Sequence, residues 1–131
     1  MRLILDTHVW LWTLTDPGRL GRRARGALAR PTSELWLSPI SVWELLVLAE
    51  RGRVKLDDEP SLWAREALER SPVREAALTH EVALQSRELA PSHPDPADRF
   101  IMATARVFEL TLVTADEALL DMRVCPLLPA R

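Results

Sequence analysis

Leu3-Ile4-Leu5-Asp6-Thr7-His8 opens this 131-residue chain and decides how the rest is read. Three apolar residues closed by an acid describe a short buried strand with a carboxylate at its end. A helical pattern over His8 to Leu14 follows, stopped by the turn Asp16-Pro17-Gly18. The same alternation then recurs along the chain. Arg22 to Arg30 has helical spacing, and Leu35-Trp36-Leu37 is a second strand. Ser38-Pro39 supplies a cap and a first-turn proline for a helix over Ile40 to Arg51, ended by Gly52. Pro60 to Arg70 reads as a helix with Leu62, Trp63, Ala67 and Leu68 facing inward, and Val73 to Leu78 as a weak strand. Thr79 caps a helix through Leu89, residues 90–94 form a rigid loop, and Pro96 to Glu109 is a strong helix. Leu110 to Val113 is a strand, Asp116 to Leu120 a short helix, and Val124 opens a last edge strand whose pairing Pro126 limits. Short apolar strands alternating with longer helices predict an α/β fold, a mainly parallel sheet of four or five strands with helices on both faces. Such sheets bind ligands outside the carboxyl ends of their strands.

Length and composition fit one domain over residues 1–131. Neither a repeat period nor a low-complexity tract is present. One cysteine, Cys125, permits no internal disulfide and no cysteine zinc cluster, so a reducing cytoplasm is the expected location. The longest uncharged stretches, Thr7–Thr15 and Leu35–Trp43, are too short to cross a bilayer, and the amino terminus has no signal-peptide pattern. Seventeen bases against nineteen acids leave a net charge of −2, which excludes a nucleic-acid binder working by bulk positive charge. All the bases except Lys55 are arginine, a side chain suited to bidentate contact with phosphate. Biased codon composition explains that preference equally well.

Five acids fall where a parallel sheet gathers ligands. Asp6 follows the first strand and Asp116 follows Leu110–Val113 by three residues. Glu44 is the only charge between Leu35 and Ala49, with Ile40, Val47 and Leu48 as helical neighbours. Asp98 lies near the start of its helix, on a stripe with Ile101, Met102 and Ala105, and Asp95 precedes it by three residues. Each acid alone also fits a structural role. Asp6, Asp95 and Asp116 suit helix caps, Glu44 could close a capping box with Ser41, and Asp98 is a first-turn acid favoured by the helix dipole. Together in one crevice they repel one another, and a hard cation such as Mg²⁺ or Mn²⁺ relieves that conflict. A cation held by few carboxylates keeps waters and suits phosphodiester hydrolysis. Setting these five aside leaves fourteen acids against seventeen bases, so the rest of the molecule is net positive.

The chain resembles PIN-domain ribonucleases, specifically the VapC-type toxins of type II toxin–antitoxin pairs. The carriers are Leu5-Asp6-Thr7-His8, Ser41-Val42-Trp43-Glu44-Leu45, Asp95-Pro96-Ala97-Asp98-Arg99 with Ile101-Met102-Ala103, and Leu112-Val113-Thr114-Ala115-Asp116, in the family's order and spacing. The resemblance implies a PIN-like three-layer fold in which Asp6, Glu44, Asp98 and Asp116 are the catalytic, metal-binding carboxylates. Asp95 matches a further acid found in part of the family. Thr114 matches a hydroxyl that supports the fourth acid, and Thr7 and Arg99 match recurring supporting or substrate-orienting residues. Also implied are one or two Mg²⁺ or Mn²⁺ ions, hydrolysis of RNA to 5′-phosphate and 3′-hydroxyl ends, a homodimer, and a VapB-type antitoxin that blocks the crevice. Operator DNA would be met only through that antitoxin, and no membrane is involved.

Other readings compete on residues. His8, His80 and His93 allow acid–base RNA cleavage by paired imidazoles, but no lysine accompanies them; His8 reads as a helix-start residue and His93 as a loop residue near the acids. An aspartyl phosphatase needs a second aspartate where His8 stands, and a receiver domain needs a late lysine, whereas Lys55 is mid-chain. An interaction module whose acids only receive a partner's arginine is the non-enzymatic alternative, and a nuclease without an antitoxin is another. Among the tryptophans, Trp10 and Trp12 alternate so that at most one points fully inward, while Trp36, Trp43 and Trp63 are expected in the core. An exposed tryptophan would suit an antitoxin groove or a dimer face.

Overall fold

The computed structural model describes residues 1–89 and 93–131, so Ala90, Pro91 and Ser92 of the expected rigid loop lie outside the described residues. Five strands, β1 (Arg2–Leu5), β2 (Glu34–Leu37), β3 (Val73–Glu75), β4 (Thr111–Thr114) and β5 (Leu127–Pro129), form one sheet in the order β3-β2-β1-β4-β5. All four pairings are parallel. Among the described residues seven α-helices connect or follow them, α1 (Thr7–Thr15), α2 (Arg22–Ala29), α3 (Pro39–Glu50), α4 (Pro60–Arg70), α5 (His80–Glu88), α6 (Pro96–Val107) and α7 (Glu117–Met122), with a short 3₁₀ turn at Pro17–Arg19. The fold is the expected α/β architecture.

Alternation along the strands divides the core in two. Leu3 and Leu5 of β1, Val113 of β4 and Leu128 of β5 pack against Val9 and Trp10 of α1, Ala24 of α2 and Trp63 of α4. Ile4, Leu112 and Leu127 point to the opposite face, towards Ile101, Met102 and Ala105 of α6 and Leu119 of α7. Each fully buried aliphatic side chain contributes roughly 1.5–3 kcal/mol by leaving water. No helix among the described residues is long and apolar enough to cross a membrane.

Two helices end in the same way with different chemistry. After α3, Gly52 adopts φ 69°, its N–H bonding Ala49 O and that of Arg53 bonding Leu48 O. After α6, Glu109 takes the same left-handed conformation at φ 55°, its N–H directed to Arg106 O and that of Leu110 to Ala105 O. Both are Schellman closures. Only the first carries the glycine that announces it, so α6 stops two residues before the expected Glu109.

Three inward assignments need correction. Trp43 is 56% exposed, and Leu62 and Leu68 are also on the surface. In α4 the buried stripe is Trp63, Ala64 and Ala67. In α3 the buried positions are Ser41 and Leu45, which turns Trp43 outward. Trp63 is buried, Trp36 partly so, and Trp10 is wholly buried while Trp12 keeps an open edge.

Candidate active site

Strand order reverses at β1, which has β2 on one side and β4 on the other, and the crevice at that switch point receives the acids. Asp6, Glu44, Asp95, Asp98 and Asp116 line one cavity of about 280 Å³ together with His8, Trp12 and Ala115. Thus all five acids singled out in the sequence meet. Asp6 and Asp98 are buried, Glu44 and Asp95 half-buried, and Asp116 stands exposed at the lip.

Capping holds most of these carboxylates in place. Asp6 caps α1, with Oδ1 accepting from Thr7 N at 2.8 Å. Asp95 caps α6 through Ala97 N at 2.9 Å, and Asp116 caps α7 through Ala118 N at 2.9 Å. Each cap engages Oδ1 of its aspartate, and all three residues line the cavity. Helix capping and a place in the cavity lining therefore coincide in these three acids. The Ser41–Glu44 capping box is absent, because Ser38 caps α3 by accepting from Ile40 N at 3.1 Å. Glu44 is thereby left to the cavity.

Supporting residues stand behind the acids rather than in the cavity. Thr114 Oγ1 donates to Asp6 Oδ2 at 2.7 Å and accepts from Asp116 N at 3.0 Å, so one buried hydroxyl ties the ends of β1 and β4 together. The Thr7 hydroxyl donates to that of Ser41 at 2.9 Å, and burial raises the pKa of Glu44 against an opposing contribution from Thr7. Arg99 is buried in α6 and does not line the cavity. His93 Nε2 lies 3.0 Å from Asp98 Oδ2 with both side chains nearly enclosed. The sequence places His93 near the acids, but nothing in its spacing identifies Asp98 as its partner. Of the other histidines, His8 reaches the cavity rim and His80 does not.

The electrostatics are those of crowded anions. Burial pushes the Asp98 carboxyl up to about 7, with repulsion from Asp6, Asp95 and Glu44 adding to it and the His93 bond opposing it. Burial also raises Asp6, against the Thr114 and Thr7 hydrogen bonds, and raises Glu44, helped by Asp95 and Asp6. An all-oxygen anionic donor set under such strain fits a hard divalent cation. Among the described residues no three His, Cys, Asp or Glu side chains close around a single point.

An all-parallel sheet with buried acids at its switch point defines the class of protein. The PIN domain family matches residues 3–124, and the chain belongs to it. At the level of individual proteins it is 38% identical over 122 residues to Ribonuclease VapC22 of Mycobacterium tuberculosis, covering 92% of each chain. Its fold is similar to VapBC2 from Rickettsia felis bound to a promoter DNA fragment, with a TM-score of 0.74 and 15% identity over 100% of both chains. It is similar also to VapBC-1 from nontypeable Haemophilus influenzae, with a TM-score of 0.71 and 17% identity over 98% of both.

Proposed function

We propose that this protein is a Mg²⁺- or Mn²⁺-dependent endoribonuclease of the VapC type, a cytoplasmic toxin that inhibits growth by cleaving RNA and is neutralised by a VapB-type antitoxin. The observation that carries the reading is the meeting of Asp6, Glu44, Asp98 and Asp116 in one cavity at the sheet's switch point. The relative named for ribonuclease activity and the complexes named VapBC support the toxin role. Asp6, Glu44, Asp98 and Asp116, with Asp95 beside them, would hold the metal. Such an ion would supply activation of water and compensation of charge on the scissile phosphate. Thr114 and the Thr7 N–H hold the Asp6 carboxylate in one orientation, and His93 does the same for Asp98. The homodimer expected from the sequence belongs to this reading.

Purified protein should cut single-stranded RNA with Mg²⁺ or Mn²⁺, lose activity in EDTA, and leave 5′-phosphate and 3′-hydroxyl ends. Cleavage that survives in both Asp6→Asn and Asp116→Asn overturns the assignment. Cleavage that persists at saturating cognate antitoxin removes the neutralisation and keeps the nuclease.

A further inference from the structure

A second groove, of about 370 Å³, adjoins the acidic cavity and shares Glu44 and Asp95 with it. Its walls are α3 and the first turns of α6. Ile40, Val47 and Phe100 supply an apolar floor, Trp43 an open indole, and Arg51 and Arg53 a cationic far end. Trp43 is 56% exposed and engages no ring or guanidinium among the described residues, whereas Arg19 and Arg131 already stand over the Trp12 ring at 4.7 and 5.0 Å. Neither Arg51 nor Arg53 has an ion-pair partner among the described residues. The Schellman turn at Gly52 fixes the backbone that carries both arginines.

We infer that this groove is the track by which single-stranded RNA enters the acidic cavity, with Trp43 stacking a base and Arg51 and Arg53 contacting phosphates. The inference rests on the nuclease reading above and extends it to substrate binding. Each feature has a counterpart in a strand of RNA. An exposed indole offers a face to any base, and guanidinium groups pair with the backbone. The apolar floor accepts the faces of sugar and base. The charge order also fits: repelling acids mark the cutting end, and cations hold the strand beyond it. Trp43 and the arginines act on binding, not on the reacting bond.

The test titrates a labelled single-stranded RNA oligonucleotide of mixed sequence into an Asp116→Asn background, where the strand is not cut. Trp43→Ala should raise Kd about tenfold, and Trp43→Phe should recover most of the loss. In otherwise wild-type enzyme, KM should rise in parallel while kcat stays within about twofold, since stacking contributes equally before and during reaction. Arg51→Gln with Arg53→Gln should weaken binding and make the slope of log K against log salt shallower by about 1.4, at roughly 0.7 per single-strand phosphate contact. Melting temperatures of all variants should match their parents, because the three side chains are exposed. Unchanged Kd in Trp43→Ala and an unchanged salt slope would overturn the inference even if RNA is cleaved. So would a change in sedimentation or antitoxin binding with RNA affinity intact, which would assign the groove to a protein partner. Failure of the wild type to cleave RNA would instead count against the nuclease reading, while the titration still decides the groove.

Discussion

Replacing Asp98 by Asn should make the protein more stable at neutral pH in EDTA while removing its activity. In the unfolded chain an aspartate ionises near its ordinary value, about 3.9. In the fold, burial among Asp6, Asp95 and Glu44 raises Asp98 to about 7. Between those values the unfolded chain has released a proton that the folded chain still holds, so stability falls as pH rises. Below the lower value the penalty is absent, and above the upper one it is complete. Three pH units correspond to roughly 4 kcal/mol at about 1.36 per unit, and residual solvent contact reduces this to about 1–3 kcal/mol. Asn keeps the side-chain shape and a hydrogen-bonding partner for His93 but cannot ionise. For a chain of this size, 1 kcal/mol moves Tm by about 3–5 °C. Melting curves in EDTA should therefore show a variant advantage of about 3–15 °C near pH 7.5 that vanishes near pH 4. Millimolar Mg²⁺ should reverse the order, because binding to the folded wild type stabilises it through the carboxylate the variant lacks. A variant that is less stable in EDTA by the same amount at every pH would refute this reasoning. The acid would then be holding the fold together, not straining it.

Three further outcomes rest on single contacts. Thr114→Val removes the hydroxyl shared by Asp6 and Asp116, and should cost about 1–3 kcal/mol by denaturant titration and about 10- to 100-fold in apparent Mg²⁺ affinity. Ser38→Ala deletes the cap of α3 and should cost about 1 kcal/mol in urea unfolding, whereas Ser38→Thr keeps a capping hydroxyl and should retain most of the wild-type stability. Glu109→Gly relieves a left-handed non-glycine at the end of α6 and should raise stability by about 0.5–1 kcal/mol with RNA cleavage unchanged.

Much of the site is legible because the chain repeats one grammar, a short apolar run followed by an acid. Asp6 and Asp116 each stand just past a strand, and a parallel sheet puts such positions at one end. Glu44 stands out as a lone charge in an apolar helix. What escapes depends on three-dimensional choices that spacing leaves open. His93 can be placed near the acids, but its pairing with Asp98 requires the path of the chain into α6. No residue type signals the end of α6, because Glu109 takes the conformation usually left to glycine. Hydrophobicity alone points Trp43 and the two leucines of α4 inward, yet small residues such as Ser41 and Ala64 take the tight positions against neighbouring elements.

The central position of β1 has a consequence for the order in which the acidic site can take shape. Its first strand is made early but waits for its inner neighbour: Asp6 N bonds Val113 O at 3.0 Å, and Thr114 closes on Asp6 across 108 residues. Such distant closure slows folding relative to local contacts. A nascent or truncated chain that ends before residue 111 carries Asp6, Glu44 and Asp98 but neither the strand nor the hydroxyl that orients the first acid. The geometry that orients the first acid is therefore complete only once β4 has joined β1.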